Sequence, residues 1–217
     1  MKKEKQNAGF SLVELLIAMT VMLVLLGLVS TLFSRALGVR ARESRRTDAL
    51  TSAQAALNVM SREIANSGFG LYSNADTKLP LNGIVIADSN VNKIHFRANL
   101  DNTKDPVTNT NPISSPGEDI TYFFDAVTDS IVRYDPNDAT PTSVIINRIS
   151  NVNFDYFNYN GSNSAPTSTT TPTPNTGRVR ITVTVNLEPV QGQPSNQTVQ
   201  FSSDVTLRNS SYMLNQY

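Results

Sequence analysis

The chain has 217 residues, no cysteine, one histidine and equal numbers of acidic and basic side chains. The lack of cysteine excludes disulfides, and a hydrophobic content of 39% suits a modest core. Residues 1–63 carry nine basic and five acidic side chains (+4), whereas residues 64–217 carry nine and thirteen (−4). The net negative charge of residues 64–217 argues against nucleic-acid binding through bulk electrostatics.

The strongest pattern is an apolar stretch near the N-terminus. Leu15 to Ser34 is a run of twenty residues without a charged side chain. As a helix this run would span about 30 Å, the thickness of a bilayer's hydrocarbon core. Fifteen Leu, Ile, Val or Phe residues between Phe10 and Phe33 would contribute about 5–9 kcal/mol to insertion, enough to carry the carboxylate of Glu14. A charged group in such a segment is costly, which marks Glu14 as a functional candidate.

A short basic leader ends at Gly9 and is followed by Phe10-Ser-Leu-Val-Glu14 and the apolar run. This arrangement resembles the N-terminus of a type IV prepilin or pseudopilin. The resemblance implies a leader at 1–9, removed after Gly9 by a prepilin peptidase that also methylates Phe10. It also implies that Glu14 pairs with the freed amine during subunit docking. Phe10 and Glu14 are four residues apart and share one helix face, so the pair could form within one helix or between neighbouring helices.

Two other classes of N-terminal segment are open. A secretory signal peptide would be cut after a shorter apolar core, at small residues, whereas this run is followed by Ser34-Arg35-Ala36. A plain single-pass anchor accounts for the length but not for Gly9 or Glu14. The positive-inside rule would place the arginines after the span in the cytoplasm, whereas the resemblance places the leader there. We follow the resemblance, because the peptidase must reach Gly9.

The resemblance implies a single-pass protein of the inner (cytoplasmic) membrane before assembly, with the globular domain outside the cytoplasm, and then a pilus or pseudopilus. Four arginines follow the span and either flank the membrane surface or contact acidic surfaces of neighbouring subunits, as the +4/−4 division suggests: Arg35, Arg42, Arg45 and Arg46.

The helical pattern continues beyond the span. Apolar residues recur at steps of three and four, which predicts one buried helix face: Leu50, Ala53, Leu57, Met60 and Ile64. Asn66-Ser67-Gly68 supplies a stop, with Gly68 suited to the left-handed C-cap position. We predict one helix from Phe10 to about Asn66, with a membrane and assembly half at 10–34 and a half at 35–67 that packs on a globular domain. The early helix-breaking proline of many major pilins is missing, which favours a minor subunit.

From Gly70 onward the apolar period drops to two, and turn-forming groups separate short strand candidates. These are Ile84–Ile86, Lys93–Arg97, Ile120–Phe124, Ile131–Tyr134, Val144–Ile149 and Val152–Phe157. The clearest pair, Arg178–Asn186 and Thr198–Leu207, is predicted to form a hairpin. An antiparallel β-sheet packed on a long helix is an α+β fold, with a β-rich extracytoplasmic domain at 68–217. The Thr/Pro-rich segment 160–177 is predicted to be a disordered surface loop, with glycosylation as an alternative.

Two further stretches point to one branch of the resembled family. Leu57–Phe69 is similar to the helix exit of minor pilins of the PilW type, and Phe201–Asn209 is similar to the last strand of PilW and of the type II secretion pseudopilin J. The resemblance implies a minor pilin that primes or caps a filament. Its partners would be the prepilin peptidase, other minor and major pilins and the inner-membrane assembly platform. A J-type pseudopilin is the first alternative.

A tip adhesin or DNA-capture module is a second alternative, with Tyr156, Phe157 and Tyr159 as candidate contacts. Catalysis is not predicted. His95 has no cysteine or second histidine to join it, and no phosphate-binding loop or nucleophile-elbow pattern is present. Asp101–Asp105 and Asp135–Asp138 lack the full spacing of a calcium loop. The chain is therefore predicted to need no metal or cofactor and to be a substrate of an enzyme, not an enzyme.

Overall fold

The computed structural model describes residues 10–71, 82–102, 112–160, 165–187 and 197–214. The predicted leader with Gly9, the end of the Asp101–Asp105 stretch and the connection 188–196 lie outside the described residues. The chain divides into two compact units, Met1–Arg45 and Arg46–Tyr217.

A single α-helix, α1, runs from Leu12 to Ala65 over 54 residues, which confirms the predicted long N-terminal helix. It ends where the sequence predicts a cap. The N–H groups of Asn66 and Ser67 donate to carbonyls three residues earlier, at 3.1 and 3.0 Å. Gly68 then adopts φ 82°, the left-handed conformation that glycine tolerates without a steric cost.

The remaining described chain forms eight strands. They are β1 (Lys93–Arg97), β2 (Asp119–Asp125), β3 (Ser130–Tyr134), β4 (Thr142–Asn147), β5 (Ile149–Asn158), β6 (Thr167–Thr169), β7 (Thr176–Asn186) and β8 (Thr198–Thr206). A 3-10 turn at Ile86–Asp88 and a short helix, α2, at Ser211–Leu214 complete the described elements. The strands pair antiparallel in two four-stranded sheets, in the orders β1-β2-β3-β4 and β6-β5-β7-β8. The α+β class is confirmed, and β7 and β8 form the predicted hairpin pair.

One hydrophobic core lies between the second half of α1 and the inner faces of both sheets. Four residues of the predicted helix stripe, Ala53, Leu57, Met60 and Ile64, are buried there, and Leu50 is half-buried. The strands contribute alternate residues, as a sheet with one buried face requires; among them are Ile94, Phe96, Ile120, Tyr122, Val152, Phe154, Ile181 and Val183.

Two predicted strands differ from the structure. The run predicted as a strand at Ile84–Ile86 makes only one bridge, from Ile84 to Phe96, before the chain turns into the 3-10 segment. The run Val144–Ile149 is divided between β4 and β5, because Arg148 adopts φ 62° and breaks the extended backbone. A hydrophobic run alone carries no signal for such a break.

The described part of the Thr/Pro-rich segment 160–177 differs from the predicted disordered loop. It contains β6 and a turn that is bound to a buried side chain. The hydroxyls of Thr173 and Thr176 donate to Asn158 Oδ1 at 2.9 and 2.6 Å. Asn158 in turn donates to the Thr169 hydroxyl at 2.9 Å. Low apolar content alone predicts disorder here, whereas hydrogen bonds to the buried Asn158 amide order the described part of this segment.

Candidate functional site

Glu14 closes the first turn of α1. The Leu15 N–H donates to the Ser11 carbonyl at 3.1 Å, which makes Ser11 the N-cap residue. The Ser11 N–H donates to Glu14 Oε2 at 3.1 Å, the return bond of an S-x-x-E capping box. A carboxylate at this end of a helix also interacts favourably with the helix dipole. Glu14 therefore has a partner within its own helix, and its carboxylate faces the N-terminal end, next to Phe10.

The helix surface that follows is apolar and uncovered. Every large apolar side chain from Leu12 to Phe33 is more than half exposed. The hydroxyls of Thr20 and Thr31 donate to carbonyls three residues earlier at 2.8 Å, so they add little polarity. Among the described residues, α1 is the one helix long and apolar enough to cross a membrane. A surface of this kind needs lipid or other apolar helices against it.

The four predicted contact arginines all lie on α1. Arg35, Arg45 and Arg46 are exposed, and Arg42 is half-buried. The last of them, Arg46, lies about three helical turns beyond the end of the apolar run. Their roles at the membrane surface or between subunits stay predictions.

A polar network fixes the end of α1 to the first sheet. Tyr122 in β2 donates its hydroxyl to Glu63 Oε2, and Arg133 Nε in β3 donates to the same oxygen at 3.1 Å. Arg133 also donates to the buried Asp135 at 3.3 Å. Burial and the neighbouring Glu63 carboxylate raise the pKa of Tyr122, so its hydroxyl stays protonated and donates. Sequence patterns did not indicate this network, because its members are 59 and 70 residues apart.

A second charged cluster lies on the outer face of β1. His95 Nδ1 is 3.0 Å from Asp88 Oδ2, and Nε2 is 2.5 Å from Asp119 Oδ1. Arg97 Nε donates to Asp119 at 2.9 Å, and Lys93 pairs with Asp88. The strand position predicted for His95 is confirmed, but its two carboxylate neighbours were not foreseen. The alternation of Lys93, His95 and Arg97 was the available signal, since it places three basic side chains on one strand face.

The two carboxylates of this cluster have perturbed pKa values. The hydrogen bond from Lys93 lowers the pKa of Asp88. Burial favours a higher pKa for Asp119, but the hydrogen bond from His95 and the charge of Arg97 outweigh it, and the pKa is lowered. Both groups are therefore held in the charged form.

The aromatic candidates for a tip-binding surface do not lie together. Tyr156 is buried in the core and donates its hydroxyl to the Asn90 carbonyl at 3.0 Å. Phe157 lies on the opposite face of β5, under the guanidinium of Arg178 at 4.1 Å from the ring centroid. Tyr159 stacks on Tyr212 at 3.9 Å. These three residues therefore do not form one patch.

Asp135, which begins the stretch compared with a calcium loop, has protein partners. Its carboxylate accepts from the Gly117 N–H at 2.6 Å and the Asn137 N–H at 3.1 Å. Within the described ranges, no three His, Cys, Asp or Glu side chains are grouped as metal ligands. Asp135 thus fixes a turn in place.

A family model described as the prokaryotic N-terminal methylation motif matches residues 5–30. No curated protein matches the chain, and no solved structure does. The matched residues include Gly9, Phe10 and Glu14, and the motif implies processing by a prepilin peptidase, membrane association and pilin-type partners. The motif and the apolar α1 also fit membrane anchoring with an extracellular globular domain. Together they support the identification of the chain as a type IV pilin-like or pseudopilin-type protein.

Proposed function

We propose that the chain is a minor, PilW-like type IV pilin that primes or caps assembly of a pilus after leader cleavage at Gly9 and N-methylation of Phe10. The observation that carries this proposal is the capped position of Glu14. Its carboxylate is held at the start of the apolar, exposed first half of α1, next to the residue that would become the new N-terminus. An ammonium group in a neighbouring or the same helix would meet that carboxylate in an apolar surrounding, where charge pairing is strong.

The unbroken helix supports a minor subunit. α1 continues from Leu12 to Ala65 without a proline, in contrast to the early helix-breaking proline of many major pilins. In this proposal the apolar half enters the filament core among other minor and major pilins, after delivery by the inner-membrane assembly platform. Such neighbours would cover the exposed apolar side chains between Leu12 and Phe33.

The direct test is mass spectrometry of the N-terminus of the protein isolated from cells. The expected result is a chain that begins at Phe10 and carries one added methyl group on its amine. A chain that still begins at Met1 would contradict the proposal.

Glu14→Ala is expected to leave leader cleavage intact and to reduce incorporation into filaments strongly. The lost cap costs only about 1 kcal/mol, so α1 persists and the defect is in assembly. The measurement is the amount of the protein in sheared filament fractions, with cleavage followed by mass spectrometry. Glu43→Ala, a glutamate of the same helix beyond the apolar run, is the matched control. Normal incorporation of the Glu14 variant would count against the proposed pairing.

A J-type pseudopilin of type II secretion is the alternative, since the last strand resembles both proteins. Deletion of the gene separates the two: loss of twitching motility supports the pilus, and loss of exoprotein release supports the secretion machine. In either case we propose that the chain is a substrate of enzymes and not an enzyme. In the part of the chain that the structure describes, both ring nitrogens of the one histidine face carboxylates and not a hydroxyl nucleophile.

A further inference from the structure

The outer face of the first sheet carries a groove. We name it the β1–β3 groove; its cavity volume is about 560 Å³, within the range of about 300–1,000 Å³ typical of small-molecule sites. Strand β1 contributes the Lys93, His95 and Arg97 side chains, and β2 and β3 contribute aromatic residues. The groove lies wholly within the unit Arg46–Tyr217.

Charges of both signs line this groove. Lys93, His95 and Arg97 alternate with the carboxylates of Asp88 and Asp119, and each carboxylate contacts two of the three basic groups. An anionic ligand would approach two carboxylates, and a cationic ligand would approach up to three basic groups. The chemistry that suits the groove is therefore a neutral molecule with many hydrogen-bond donors and acceptors.

Two aromatic side chains form the apolar part of the groove. Tyr134 in β3 lies opposite Thr121 in β2, and Phe123 follows two residues along the same face of β2. Tyr134 is 41% exposed and Phe123 is half-buried. Rings at this level of exposure offer an apolar face beside polar groups.

Two side chains that line the groove carry hydroxyls: Thr121, which is 9% exposed, and Tyr134, which is exposed. The charged side chains around them are already held by their mutual contacts, so little side-chain entropy would be lost on binding. The groove is thus preorganised, with apolar faces and hydrogen-bonding groups close together.

We propose that the β1–β3 groove binds a neutral carbohydrate. The C–H face of a sugar ring would pack on Tyr134 and Phe123, where it removes apolar surface from water. The hydroxyls of the sugar would exchange hydrogen bonds with Thr121, Asp88 and Lys93, which between them offer donors and acceptors. This assignment does not depend on whether the chain builds a pilus or a secretion pseudopilus.

The test is ligand-observed saturation-transfer NMR on the full chain in lipid nanodiscs, with empty nanodiscs subtracted. The neutral probes are cellobiose, lactose and N,N′-diacetylchitobiose, which distinguish glucose-, galactose- and N-acetylglucosamine-type sources. The charged probes are glucuronic acid and glucosamine. We expect signal transfer to at least one neutral disaccharide and weaker transfer to both charged sugars. No transfer to any neutral probe, or stronger transfer to a charged one, would overturn the proposal.

Variants locate the site. Tyr134→Ala is expected to weaken binding of the neutral disaccharide about tenfold, since the ring contact is removed. Tyr134→Phe, which keeps the ring, is expected to weaken it less. Phe157→Ala removes an aromatic ring from the outer face of the other sheet and is expected to leave binding unchanged. Near-UV circular dichroism confirms that each variant is folded. Equal binding by folded Tyr134→Ala and the parent chain would overturn the assignment.

Discussion

On the outer face of the first sheet, Asp119 is largely buried and contacts both a histidine and an arginine. Its side chain is 13% exposed, 2.5 Å from His95 Nε2 and 2.9 Å from Arg97 Nε. Burial of a charged carboxylate carries a desolvation cost, which is offset only while its charged partners remain in place. The stability of the domain therefore depends on the ionisation of this group.

The lowered pKa of Asp119 predicts acid sensitivity with a definite sign. Because the folded-state pKa lies below the ordinary value of 3.8, the contribution to stability is full above that value. It is lost as the pH falls through the lower, folded-state pKa. We expect the free energy of unfolding to decrease as the pH falls below about 4, and Asp119→Asn to make that decrease smaller.

The measurement is urea unfolding of the full chain at several pH values, followed by the near-UV circular dichroism of its tyrosines. Asp138→Asn is the control, since Asp138 accepts one hydrogen bond, from the Thr140 N–H at 3.2 Å. An unchanged pH dependence in the Asp119 variant would contradict the assigned role.

At the C-terminal end of α1, the backbone at Gly83 packs closely against the backbone at Gly68. Gly83 adopts φ 71°, and a Cβ atom built on it would lie 2.2 Å from Gly68 N and 2.5 Å from the Arg97 carbonyl oxygen. Gly68 N itself donates to that carbonyl at 2.9 Å. The end of the helix, residue 83 and β1 are thus held together by a contact that leaves no space for a side chain.

Gly83→Ala is therefore expected to destabilise the domain by more than about 2 kcal/mol, because positive φ and backbone overlap act together. Gly38→Ala is the matched control. Gly38 lies within α1 with open space around it, so alanine should be neutral or stabilise by about 0.5–1 kcal/mol. Thermal unfolding of both variants measures the difference, and similar midpoints would refute it.

The network at Glu63 is the polar link between α1 and the first sheet. Among the described residues, Glu63→Ala leaves the Arg133 guanidinium, which is 15% exposed, with Asp135 as its remaining hydrogen-bond partner. We expect a loss of about 2–3 kcal/mol, at the low end for broken buried pairs because Glu63 is 25% exposed. Tyr122→Phe, which removes one hydrogen bond, should cost about 1 kcal/mol. Urea unfolding checks the order, and a smaller effect of Glu63→Ala would contradict it.

Elements with strong local patterns could be predicted from the sequence. The helix stripe at steps of three and four and the alternation in β1, β7 and β8 place the core face correctly. The 3-10 turn after Val85 and the break at Arg148 could not be predicted, because backbone angles there depend on contacts with other strands. Strand β6 was missed because its order comes from Asn158, which lies outside the segment.

The same division applies to the candidate sites. Phe10 and Glu14 belong to a motif that is contiguous in sequence, so their neighbourhood could be predicted. His95 meets Asp88 and Asp119, which are seven and 24 residues away, only because of the turn before β1 and the register that sets Arg97 opposite Asp119. Register is a property of paired strands, and a single sequence does not specify it.

The whole chain combines an uncovered apolar helix, an arginine-rich stretch and a domain with net negative charge. The arginine-rich stretch and the domain with net negative charge would favour attraction between neighbouring copies or neighbouring pilins just outside the bilayer. Water weakens this attraction there without abolishing it. The arginines would then set how subunits are spaced along a filament.

Replacement of Arg42, Arg45 and Arg46 by glutamine is expected to lower incorporation into filaments several-fold, because long-range attraction is lost. The triple replacement by lysine keeps the charge and should incorporate close to normally. Quantitative immunoblots of sheared filaments compare the two, and unchanged incorporation of the glutamine variant would dismiss the electrostatic role.

His95 is the chain's single histidine, and it lies in the β1–β3 groove between two acidic side chains. Isotope labelling of histidine alone would therefore produce one imidazole spin system, free of overlap even in a particle as large as a nanodisc or a filament. Its chemical shifts would report whether that face of the domain is filled, shielded by a neighbouring subunit or open to solvent.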